Sequence, residues 1–146
     1  MAHRGGQRTA RKSTLLTGER AVKDYLIRLG WPARCLHPNS RIDRRSATQA
    51  RQKARAEGWA GAKRHGLPAL PEAHVEVTFY PPDKRRRDVD GMFSSIKSHL
   101  DGIAKAMGVD DAGWTFTLRR GDPVKGGAVL LHFQNEAVIQ VRGEIS

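Results

Sequence analysis

VEVTFYPPDKRRRDVDGMFSSIKSHLDGIAKAMGVDDAGWTFTL, residues 75 to 118, changes its hydrophobic period twice. Val75, Val77 and Phe79 alternate with His74, Glu76 and Thr78, which predicts a half-buried strand stopped by Pro81-Pro82. Met92, Ile96, Leu100, Ile103 and Met107 then recur at helical spacing, predicting a helix from about Gly91 to Met107 with Gly108 as its stop. Thr115 to Leu118 returns to a strand pattern.

Working outward, YLIRLGW (Tyr25 to Trp31) reads as a first strand closed by Pro32, with a helix from Glu19 to Leu29 as the competing assignment. Ala33 to Arg45 reads as a loop. A second helix then opens on Ser46 as N-cap and ends at Gly66 before Pro68. Its apolar stripe is thin (Ala50, Ala54, Trp59, Ala62), and Gly58 and Gly61 weaken its C-terminal half. Ala128 to Phe133 predicts another strand, reached through a loop holding Gly121, Pro123, Gly126 and Gly127. Ala137 to Val141 either adds an edge strand or trails off. The order strand, helix, strand, helix, strand, strand predicts an α/β (α+β) fold. Its mixed sheet of about four strands would carry two main helices on one face.

Composition limits what such a domain does. The 146 residues are enough for one core without a disulfide or structural metal, and a single cysteine, Cys35, excludes a disulfide framework and Cys-rich zinc sites. No apolar run approaches the roughly 20 residues of a membrane span, and the opening MAHRGGQRTARKS lacks the apolar centre of a secretory signal. A cytoplasmic protein is expected, without a membrane partner. Lys and Arg number 26 against 15 Asp and Glu, a formal +11, which points to a polyanionic partner, most often nucleic acid. Residues 1–22 read as a basic, flexible extension, and residues 23–146 as the folded domain. Arg44, Arg45 and Arg51 belong to a basic stretch from Arg41 to Arg64 that includes the helix opening at Ser46. Lys84, Arg85, Arg86 and Arg87 form the densest run, and Lys125 adds charge to the glycine-rich loop.

Asp88 and Asp90 directly follow that run. In an extended segment both would project from one face about 7 Å apart at Cα, so their repulsion needs a partner. The neighbouring arginines supply one, with Asp90 capping the helix. A hard cation such as Mg²⁺, held by carboxylates, water and substrate phosphate, supplies the other. Asp110-Asp111, just past the helix stop, gains meaning only in combination with the first pair. Carboxylates set in a basic field suit metal-assisted phosphodiester cleavage, whereas a passive binder avoids them. Lys97 shares a helical stripe with Ser94 and Asp101. It either serves the scissile phosphate or makes an ordinary pair with Asp101.

The segment YPPDKRRRDVDGMFSSIKSHLDGIAKAMGVDD, followed by PVKGGAVLLHF, resembles the RusA family of phage and prophage Holliday junction resolvases. That family shows an arginine run, D-x-D-N, a helix carrying a lysine, L-D-x-x, a terminal D-D and a K-G-G hairpin before the last strand. YLIRLGWP and HPNSR suit its opening strand and loop. The resemblance spans residues 24 to 134 and is specific from 79 to 111. It implies a RusA-like, homodimeric, Mg²⁺-dependent endonuclease, with Mn²⁺ able to substitute and no organic cofactor. Such an enzyme nicks four-way DNA junctions in recombination and repair. By position, the metal-binding acids are Asp88, Asp90 and one of the terminal pair, Asp111 before Asp110. The essential lysine is Lys97 if three inserted residues precede it, and Ser94 holds that place otherwise. Gly91 stands where the family usually has asparagine.

A helix from Gly91 to Met107 would hold its ends about 25 Å apart, placing Asp88 and Asp90 far from Asp110-Asp111. A two-fold dimer with antiparallel helices would bring one chain's first pair beside the other's second. The competing function is a non-catalytic basic module that reads DNA or RNA shape. The six histidines show no paired metal-ligand spacing and read as structural or surface residues, with His99 nearest the expected site. The three tryptophans read as core or interface residues, with Trp59 able to stack on an unpaired base.

Overall fold

A computed structural model describes residues 24–135. The expected extension at 1–22 and the edge strand at Ala137 to Val141 lie outside them. The chain forms β1 (Asp24–Gly30), α1 (Arg44–Arg64), β2 (Ala73–Tyr80), α2 (Val89–Ser95), α3 (Lys97–Met107), β3 (Thr115–Arg120) and β4 (Ala128–Asn135). This is a mixed α+β fold with a four-stranded sheet in the order β1-β4-β2-β3. β2 and β3 pair in parallel, while β4 pairs antiparallel to both β1 and β2. β1, β2 and β3 therefore point one way, and their carboxyl ends gather at one edge.

Alternation decides the layers. Ile27, Leu29, Val75, Val77, Phe79, Val129, Leu131 and Phe133 are fully or almost fully buried and form the covered face. The packed helices meet them with Ile96, Leu100, Ile103 and Met107. The other face carries Glu76, which accepts from Arg119 Nε at 2.7 Å, and His132, 3.2 Å from Asp24. The Arg119 hydrogen bond holds the Glu76 carboxyl below its usual range, with His132 adding to it. Among the described residues, no helix is long and apolar enough to cross a membrane.

Three expectations are corrected. Helix α1 is capped by Asp43, whose Oδ1 accepts from the Ser46 backbone N–H at 2.8 Å; Ser46 is the third helical residue, not the cap. Trp59 lies outside the apolar stripe, 42% exposed with Lys63 over its ring, while Gly58 and Gly61 are buried. A Cβ on Gly58 would come within 2.1 Å of the His99 carbonyl oxygen, and one on Gly102 within 2.0 Å of the Arg55 carbonyl oxygen. Glycine on both helices thus lets α1 and α3 approach backbone to backbone.

The expected single helix is two. Ile96 (φ −105°, ψ 7°) breaks it, its N–H bonding three residues back to Phe93 O rather than four. The buried Ser95 hydroxyl donates to Gly91 O at 2.9 Å, a back-bond that bends helices. Helix α3 ends where expected, at Gly108 with φ 74°, and Val109 N–H closes the turn onto Ala104 O.

Candidate nucleic-acid interface and acidic site

The loops after β1 and β2 enclose a cleft of about 680 Å³. One wall is formed by Trp31, Arg34, His37, Asn39 and Ser40, the other by Pro82, Asp83, Arg85, Arg86, Arg87 and Asp88, with Met92 and Ser95 of α2 completing it. A cleft outside the carboxyl ends of strands is where α/β sheets commonly bind ligands, because the diverging loops leave a crevice there. Basic residues scattered along the chain meet at this edge. Arg44 and Arg45 open α1 directly after the first loop. Lys125 sits in the β3–β4 loop, which Gly121 N–H and Val124 N–H tie to Phe79 O and Pro81 O. Lys84, Arg85, Arg86, Arg44, Arg45, Arg51 and Lys125 are all exposed.

The arginine run pairs with Asp83 before it, not with Asp88 and Asp90 after it. Arg87 Nη1 donates to Asp83 Oδ1 at 2.8 Å, and the Arg85 backbone N–H donates to the same oxygen at 2.9 Å. Arg87 first, then the Arg85 N–H, holds the Asp83 carboxyl below its usual range. Arg87 also lies 5.5 Å from the Trp31 ring centroid. Its guanidinium therefore fixes the 83–87 turn and braces it against the opposite wall. Asp88 is the N-cap of α2 but its side chain makes no capping hydrogen bond, and Asp90 lies in the first turn. Both are exposed, and among the described residues neither has an ion-pair partner. The extended geometry expected for this pair stops at Asp88, because Asp90 is already helical.

The second acidic pair lies at the other end of the sheet. Asp110 accepts from Ala112 N–H at 3.0 Å and caps a 3-10 turn at Asp111–Gly113. Trp114 Nε1–H donates to Leu70 O at 2.8 Å, anchoring that turn where β2 begins. Between the two pairs run the β2–β3 partners from His74–Thr115 to Phe79–Arg120, roughly 16 Å of strand at 3.3 Å per residue. Among the described residues, no group of three His, Cys, Asp or Glu could hold a metal ion. The oxygen donors are the kind Mg²⁺ takes, but with Asp83 paired to Arg87, one chain leaves Asp88 and Asp90 at the cleft edge and not the fuller set.

Lys97 also stays apart. Its Nζ lies 5.5 Å from the Phe93 ring centroid, and Phe93 packs edge-on against Phe116 of β3. It makes no ion pair with Asp101 among the described residues. His99, expected near the site, is instead buried between the helices with Nε2 3.2 Å from Glu57. The histidine in the cleft is His37, which its isolated position in the sequence did not reveal.

No protein-family model matches the chain. Over 93 residues, 58% of this chain, it is 39% identical to an uncharacterized protein of Xylella fastidiosa. The match spans 59% of that relative's length.

Proposed function

We propose that this chain is a Mg²⁺-dependent, structure-selective endodeoxyribonuclease, RusA-like and homodimeric, that resolves four-way DNA junctions. One observation carries the proposal: among the described residues Asp88 and Asp90 have no ion-pair partner beside a cleft dense in arginine, where Arg85 and Arg87 pair with Asp83 instead. Arginines that remain exposed seat backbone phosphates, while the free carboxylates offer hard oxygen donors. Mg²⁺, when bound, lowers the pKa of a water and stabilises charge at phosphorus. The distance between the acidic pairs supports a site completed by Asp110-Asp111 of a second chain. A two-fold dimer also suits paired nicks in a two-fold junction.

The test is a synthetic four-way junction incubated with full-length protein in Mg²⁺ or EDTA. Nicks are expected only with Mg²⁺, and Asp90→Asn is expected to lower their rate at least about a hundredfold while leaving binding intact. A mixture of Asp88→Asn and Asp111→Asn chains should recover part of the rate if sites are shared. No nicks from the unaltered protein at any Mg²⁺ or Mn²⁺ concentration would overturn nuclease function. The second candidate, a non-catalytic basic binder, is favoured by the lack of a three-acid group among the described residues. It requires junction binding without nicks, unchanged by Asp90→Asn and weakening steeply with salt.

A further inference from the structure

His37 follows the 3-10 turn Arg34–Leu36 and caps it, its N–H donating to Arg34 O at 3.1 Å. Its Nδ1 accepts from the Asn39 backbone N–H at 3.1 Å. An imidazole accepting at Nδ1 carries its proton on Nε2, so the loop backbone selects the tautomer. Nε2 in turn faces the first turn of α2. A Cβ built on Gly91 would lie 2.4 Å from Nε2 and 3.2 Å from both Cδ2 and Cε1. Any side chain at 91 would displace the ring, so the imidazole occupies space that only glycine leaves. Among the described residues Nε2 has no hydrogen-bond acceptor. The ring is half-buried, and it lines the cleft with Arg34, Arg85 and Asp88.

A proton donor with a backbone-fixed tautomer and no acceptor among the described residues, in a cleft where Arg34, Arg85, Arg86 and Arg87 outnumber Asp83 and Asp88, suits an anionic oxygen brought by a ligand. We propose that His37 is a phosphate-contact residue, donating from Nε2 to a backbone phosphate of the nucleic acid in this cleft, and that Gly91 is the permissive partner that admits it. The assignment rests on the nucleic-acid part of the proposed function and not on catalysis.

The experiment is a double-mutant cycle on the full chain, measured by fluorescence anisotropy with a labelled four-way junction in EDTA, so that cleavage plays no part. His37→Ala and Gly91→Ala should each weaken binding about tenfold, the value of one hydrogen bond to a charged group. The double variant should be no weaker than His37→Ala alone, because both changes remove the same contact. His37→Gln, which keeps an N–H donor, should recover most of the affinity, and this separates a contact from mere loop support. Wild-type binding by His37→Ala would overturn the assignment, as would losses that multiply in the double variant or a His37→Gln as weak as alanine. Cleavage measured in parallel with Mg²⁺ keeps the two proposals apart. If the unaltered protein makes no nicks but the binding cycle holds, nuclease function fails and the contact stands.

Discussion

Gly58 and Gly91 both sit on helices, and a Cβ on either would come closer to a neighbour than real atoms approach. What each meets differs. At Gly58 the obstacle is the His99 carbonyl, backbone of α3 inside the helix layer; at Gly91 it is the end of a half-buried histidine on a loop. The first contact sets the spacing of two helices that cannot separate without losing core packing, whereas the second only determines where an imidazole stands. Identical local chemistry therefore bears on stability in one region and on the shape of the cleft in the other.

Substitution sharpens that contrast. Gly58→Ala should destabilise the fold by about 2 kcal/mol, since overpacking against backbone outweighs the gain in helix propensity. Urea denaturation measures it, and an unchanged midpoint would mean that α1 and α3 do not touch there. Gly91→Ala, which a side chain can evade, should cost less than about 1 kcal/mol in the same assay.

The helix layer should also respond to pH, through His99. Burial pushes its imidazole below the ordinary value of 6.5, and Glu57 only partly opposes this. The folded protein therefore holds His99 neutral at pH values where the unfolded chain already binds a proton. Its contribution to stability is present above pH 6.5 and falls as pH drops below it toward the lowered folded value. Denaturation midpoints at pH 8 and pH 5.5 should show this decline, smaller in His99→Gln; an equal decline in both would remove His99 as its source. The smallest effect is expected on the open sheet face. Arg119 is mostly exposed, so Arg119→Ala should cost no more than about 1 kcal/mol despite its 2.7 Å bond to Glu76.

Strands were the most legible part of the chain, because alternation such as Val75-Val77-Phe79 reports directly which face is dry. The glycine stop at 108 was equally readable, since a left-handed residue there closes the helix. The sequence alone does not separate Asp43 from Ser46 as the cap, because both have the right chemistry. The backbone N–H that needs an acceptor belongs to Ser46 itself. The break at Ile96 was hidden because the apolar spacing continues across it, while the bending comes from a serine hydroxyl. Apolar spacing puts Trp59 in the stripe of α1, yet Gly58 and Gly61 occupy the contact surface by allowing the closer approach.

The acidic site divides in the same way. Composition and order determined that this chain is strongly basic, that Asp88-Asp90 and Asp110-Asp111 flank a helical segment, and that its sheet is mixed. Charge and hydrophobic period are properties of neighbouring residues, so they survive in one dimension. Which arginine neutralises which aspartate, how far apart the two pairs stand, and which histidine enters the cleft were decided only in three dimensions. Each of those depends on a loop turning back, on strand register, or on an atom that glycine omits.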